Sequence, residues 1–101
     1  MEVLILITTE SSKTNALQVA KLLIQNKLAA CVSIKPIFST YEWDNEIKET
    51  EEFEIIIKSK SELKDDLIDF LHKMNSYKVP QILFKKYHAS KEYYDWLSKT
   101  I

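Results

Sequence analysis

An α+β domain, a single antiparallel sheet backed by helices, is the fold class that this 101-residue sequence predicts. Three observations predict it. Short β-branched runs alternate along the chain with apolar stripes at three-to-four spacing, the patterns of strands and amphipathic helices. Two long β-forming runs meet at a polar two-residue turn, Asp44-Asn45, which reads as a hairpin. The composition, 46% hydrophobic and 29% charged, suits one globular core, and a chain of this size buries roughly two-thirds of its unfolded surface as a single domain spanning residues 1–101.

Val3 to Thr8 is a short continuous apolar run, the pattern of a central strand covered on both faces. Ser11 and Ser12 offer an N-cap, and Ala16, Leu17, Ala20, Leu23, Ile24 and Leu28 then form one stripe, predicting a helix from about Ser12 to Lys27. Ala29 to Trp43 is rich in β formers, and Pro36 within it requires a kink at a bulge or an unpaired edge position. After the turn, where Asn45 tolerates positive φ, Glu46 to Lys58 returns as a strand, polar near the turn and apolar over Ile55, Ile56 and Ile57. Ser59 and Glu62 have capping-box spacing, and Leu63, Leu67, Phe70, Leu71 and Met74 make the stripe of a second helix. Asn75 to Pro80 reads as a loop and Gln81 to His88 as a fourth strand, after which Ser90 caps a short helix carrying Tyr93, Trp96 and Leu97.

The resulting order, βαββαβ plus a short C-terminal helix, is the ferredoxin-like arrangement, in which two right-handed crossovers pack helices on one sheet face. The two hairpin strands run to about thirteen residues against a usual five or six, so a long hairpin overhangs its own sheet. An overhanging ribbon that carries Phe38, Tyr41, Trp43 and Phe53 exposes aromatics and unpaired backbone unless another subunit covers it, which predicts a homo-oligomer.

Composition also excludes functions. All basic residues are Lys and there is no Gly, so a P-loop or dinucleotide fingerprint cannot form, and Arg-dependent phosphoryl chemistry has no Arg. The formal charge of -1 gives no excess to steer the chain to nucleic acid or to a membrane surface. The single Cys31 cannot close a disulfide within the chain or make a CxxC clamp. No window approaches a membrane span, and the N-terminal apolar run reads as a strand rather than an export signal, so a cytoplasmic location is expected.

Several segments together resemble a known family. Leu28-Ala29-Ala30-Cys31-Val32-Ser33-Ile34 is similar to the LAACV-type strand of the CutA family, the divalent-cation tolerance proteins, and Tyr41-x-Trp43 with its turn resembles that family's YxW hairpin. Ile57-Lys58-Ser59, Tyr77-Lys78-Val79-Pro80 and Tyr94-Asp95-Trp96-Leu97 resemble its strand-three ending, its Tyr-x-x-Pro loop and its last helix, in order over the whole chain. The chain departs from the family pattern at Asn45, where Gly is usual, at Asn75, where His is usual, and at Gln81, where Glu is usual. The resemblance implies a ferredoxin-like homotrimer with hairpins reaching neighbouring subunits, and a function in copper and divalent-cation tolerance.

The candidate site residues follow. Cys31 is the one soft donor for copper, and its place after two alanines on a strand equally suits core packing. His72 falls on the solvated face of the second helix and His88 ends the fourth strand in a hydrogen-bonding role, so no ligand-spaced cluster is expected, and any copper or other divalent cation is bound weakly and not as an obligatory cofactor. The resemblance places Lys58 and Tyr77 near a cleft between subunits, where they hold an anion or carboxylate or simply pack, and the acidic run Glu49, Glu51, Glu52 and Glu54 adds Glu52 to that cleft or makes a solvated face. Phe38, Tyr41, Trp43 and Trp96 are the expected subunit-interface residues. No nucleophile has a base at a fitting spacing, so no enzyme activity is expected. The alternative function is a trimeric signalling or interaction module of the PII kind, which would carry a long loop where this chain has Asp44-Asn45.

Overall fold

Four strands, β1 (Glu2–Glu10), β2 (Cys31–Trp43), β3 (Glu46–Ser59) and β4 (Leu83–His88), form one antiparallel sheet of order β2-β3-β1-β4 in a computed structural model that describes residues 1–101. The helices are α1 (Lys13–Gln25), α2 (Lys64–Met74) and α3 (Lys91–Thr100). β1 lies between β3 and β4, as its unbroken apolar run predicts. Leu4 and Leu6 enter the main core with Ala16, Val19 and Leu23 of α1 and Leu67 and Leu71 of α2. Val3 points to the other face, where it meets Ala30 and Leu97 of α3 in a second, smaller cluster. Each fully buried Leu contributes about 2 kcal/mol of transfer free energy, so this body carries most of the hydrophobic stabilisation.

The Ser12 hydroxyl accepts the Asn15 amide at 3.1 Å and starts α1. The helix ends on Lys27 at φ 58°, with the Lys27 amide donating to Ile24 and the Leu28 amide to Leu23. This is a Schellman motif, and in a chain without Gly the left-handed position falls to a lysine at a cost of about 1 kcal/mol.

Two local expectations are corrected, and one choice between alternatives is decided. Ser59 does not cap the second helix: it is the last residue of β3, fully buried, and its hydroxyl donates to the Leu28 carbonyl at 2.7 Å. The β1–β3 ladder runs as far as Leu4 opposite Ser59, so the chain reaches a short 3-10 turn, Ser61–Leu63, only afterwards, and α2 starts beyond it with Asp65 and Asp66 facing its positive end. Of its two expected places, Pro36 takes the unpaired edge position and not a bulge. The β2–β3 register is unbroken from Cys31 opposite Lys58 to Trp43 opposite Glu46, with Pro36 opposite Phe53. The two-residue turn makes Trp43 and Glu46 a hydrogen-bonded pair, so alternation turns the nitrogen of Pro36 to the free edge of β2, where no ladder bond is lost. β4 begins at Leu83 rather than Gln81.

Asp44 and Asn45 both have positive φ, 51° and 63°, the signature of a type I′ turn. β1 stops pairing at Glu10 opposite Phe53, so residues 37–43 and 46–52 of the hairpin have no third strand beside them. At ~3.3 Å per residue the ribbon projects about 23 Å, which stretches the molecule to 46 × 24 × 22 Å. Phe38, 87% exposed, and Ile47, Tyr41 and Trp43 stand open on it. The other edge strand, β4, is exposed at every residue.

Candidate functional site

The base of the overhang is where loop and ribbon meet. Past Glu10 the chain turns into α1, and the place beside β3 is taken by the loop that follows α2, which is pinned there by side chains. Asn75 donates to the Thr9 carbonyl at 2.8 Å and to the Thr8 hydroxyl at 3.2 Å, while its own oxygen accepts the Tyr77 amide at 2.9 Å. The Glu10 carboxylate, 1% exposed, accepts the Ser76 amide at 3.0 Å, the Ser76 hydroxyl and the Ser11 amide. Asn75, at the position where the resemblance led to an expected His, is thus a loop clamp, and Glu10 is a second clamp that sequence reasoning missed. A terminal Glu on an apolar strand followed by Ser-Ser was the only signal for it.

The clamped loop brings the Tyr77 hydroxyl to Glu52, to which it donates at 2.7 Å. Burial pushes the phenol well above its ordinary pKa, and the hydrogen bond to Glu52 and the negative charges of Glu52 and Glu10 push the same way, so Tyr77 stays a donor at neutral pH. Around this pair opens a groove of about 640 Å³ whose walls include Tyr41, Trp43, Lys48 and Lys78. Lys48 is held by Glu46 at 2.9 Å.

Lys58 lies elsewhere. It shares a sheet face with Glu52 by alternation, but six residues along β3 separate them by about 20 Å. Its ammonium sits 3.2 Å from the Ser33 hydroxyl and 3.9 Å from the Cys31 sulfur. Cys31 is half-buried opposite Lys58, with Tyr93 of α3 near enough that its charge adds to burial in raising the Tyr93 phenol. Of the acidic run, Glu49 and Glu51 face solvent, Glu54 pairs with Lys35 at 3.6 Å, and Glu52 is buried at the groove. His72 and His88 are exposed, and the His88 ring makes no hydrogen bond within the chain. Trp96 is exposed on α3, 5.6 Å from the Tyr93 ring.

No three His, Cys, Asp or Glu side chains converge. A resident metal centre within one chain therefore does not fit these residues, and at Cys31 the neighbouring ammonium opposes a cation.

Sheet order, helices on one face with α3 on the other, and an overhanging hairpin braced at its base define a ferredoxin-like domain with an extended β2–β3 ribbon. The profile of the CutA1 divalent ion tolerance proteins matches residues 3–100, and the chain belongs to that family. The divalent-cation tolerance protein CutA of Archaeoglobus fulgidus is 37% identical over 94 residues, 92% of each chain. The solved structure of CutA from Synechococcus elongatus superposes with a TM-score of 0.94 at 35% identity, over 98% of this chain and 89% of that one. The A. fulgidus structure, described as a periplasmic divalent cation tolerance protein, superposes at 0.92 with 37% identity, over 99% and 98%. No helix here is long and apolar enough to cross a membrane.

Proposed function

We propose that the chain serves tolerance of divalent cations, copper among them, as a homotrimer whose contact with the ion is weak. The observation that carries the reading is the hairpin: residues 37–43 and 46–52 lack a third strand and expose Phe38, Tyr41, Trp43 and Ile47, surface that neighbouring copies would cover. Trp96 adds exposed aromatic surface on α3 to the same interface. The scatter of Cys31, His72 and His88 supports weak binding, because a tight site needs three or four ligands in one place. The two-residue turn at Asp44-Asn45 leaves no long loop of the PII kind between β2 and β3.

The test is complementation of cells sensitised to copper by loss of their own CutA protein. The wild-type chain restores growth, and Trp43→Asp, which places a carboxylate in the covered surface, does not. Competition titration adds the chemistry: copper binds at about micromolar strength or weaker. Nanomolar binding, or full rescue by a monomeric Trp43→Asp chain, contradicts the reading.

A further inference from the structure

We propose that Glu52 of one copy and Lys58 of the next form an ion pair across the subunit contact, and that this pair fixes how the copies are aligned. The inference rests on the homotrimer proposed above and names two residues that meet in it. Alternation along β3 puts Glu46, Lys48, Glu52, Glu54 and Lys58 on one face of the sheet, the face on which α3 packs. On that face Glu46 holds Lys48, and Glu54 holds Lys35 of β2. Glu52 and Lys58 are the charges of the hairpin that remain. Glu52 is 8% exposed, and only one of its carboxylate oxygens has a partner in the chain, the Tyr77 hydroxyl. The half-buried Lys58 ammonium touches no carboxylate, only the Ser33 hydroxyl at 3.2 Å and the Cys31 sulfur at 3.9 Å.

Six residues of strand, about 20 Å, keep these two charges from meeting within one chain. Both stand in surface that neighbouring copies would cover. Glu52 lies at the root of the ribbon on the face that also bears Tyr41 and Trp43, and Lys58 lies opposite Cys31, beside Tyr93 of α3. Covering that face excludes solvent from the free oxygen of Glu52 and from the ammonium, and a charge buried without a counter-charge is costly, so each needs a partner from the neighbour. Ring symmetry supplies one. In a closed ring of three the contact is heterologous: each copy offers one patch to the copy before it and a different patch to the copy after it. The ribbon root and the far end of the sheet are two such patches, and they carry opposite unpaired charges. Lys85 of β4, opposite Ile5, shares this face but is exposed, so solvent screens it and it gains less from a carboxylate.

The experiment follows trimer dissociation by sedimentation equilibrium of the full chain over a dilution series, in urea at which the wild-type trimer begins to dissociate. Glu52→Gln, whose amide oxygen still accepts the Tyr77 hydroxyl, and Lys58→Met each raise the concentration at which the trimer dissociates by at least about tenfold. The double variant dissociates no more readily than either single one, because the second substitution removes the charge that the first left unpaired. Lys85→Met stays within about threefold of wild type. Single variants that dissociate like the wild type, losses that add in the double variant, or a larger effect of Lys85→Met overturn the pair, while the wild-type trimer leaves the assembly standing. A wild-type chain that is monomeric without urea overturns the assembly and the pair with it. Where a variant fails to fold, the wild-type protein still decides. Carbodiimide coupling in a mixture of isotope-labelled and unlabelled chains joins the Glu52 peptide of one isotope to the Lys58 peptide of the other, and trimers coupled only through other residues overturn the pair.

Discussion

The body of the sheet and its overhanging hairpin are built from the same strands by different physics. Up to the pairing of Glu10 with Phe53, β3 is flanked by β1 and β2 and covered by α1 and α2, so Ile55 and Ile57 are fully buried. Beyond it the same strand has one neighbour, and Ile47 is 75% exposed. A two-stranded ribbon is marginal in water by itself. The body folds on its own contacts, whereas the ribbon depends on its I′ turn, on its root and on whatever covers it. Tyr77 to Glu52 is the one side-chain hydrogen bond that joins the two regions.

The largest effect belongs to the body. Leu67→Ala removes a fully buried side chain between α2 and the sheet, and urea unfolding should show a loss of about 2–5 kcal/mol. Ile47→Ala, on the ribbon, should cost more than the roughly 0.5 kcal/mol of a solvent-exposed change, because neighbouring copies cover the side chain; a smaller change would leave Ile47 in solvent. Next comes the root. Asn75→Ala unties the loop from Thr8 and Thr9 and should cost about 1–3 kcal/mol, with faster hydrogen exchange confined to residues 75–82; exchange that rises across α1 as well would mean that the loop is not a separate unit.

The joint itself is read by pH. The pKa of Tyr77 is raised in the folded chain, so the folded state holds its proton longer than the unfolded state. Its stabilisation is whole below the ordinary value of 10.0 and declines as pH rises above it, because the unfolded phenol ionises first. Melting temperatures of wild type should therefore fall more steeply above that pH than those of Tyr77→Phe, and parallel curves would detach Tyr77 from the stability of the joint. The smallest effect sits at the tip. Asn45→Gly should be neutral or stabilising by less than about 1 kcal/mol, since φ of 63° costs Gly nothing while the unfolded chain gains freedom. A larger loss would give the Asn45 side chain a role.

Much of the body was legible because periodicity reports burial. The Val3–Thr8 run, the Leu67 and Leu71 stripe and the Asp44-Asn45 turn each express a local rule, and each stands where it was expected. Ser59 was misread because its spacing to Glu62 also fits a cap, and only the length of the β1–β3 ladder decides that the residue stays in the strand. Pro36 was left between a bulge and an unpaired edge position, and the place of β2 at the edge of the sheet decides for the second. At the site, Glu52 and Tyr77 were both singled out, but their contact depends on Asn75 and Glu10, which bind a loop to a strand more than sixty positions away in the chain. No local pattern encodes that closure. Lys58 and Tyr77 were grouped through the resemblance, and within one chain Tyr77 meets β3 at its middle, at Glu52, while Lys58 lies near the strand's end, about 20 Å along it.

The central claim, that the ribbon depends on neighbouring copies, is tested most directly by sedimentation equilibrium of the wild-type chain at micromolar concentration, run beside Trp43→Asp. The account predicts a single species at three times the 11.9 kDa chain mass, with Trp43→Asp shifted toward the single-chain mass while its helical circular dichroism persists. A wild-type protein that sediments at 11.9 kDa with its hairpin amides still protected from exchange would contradict it.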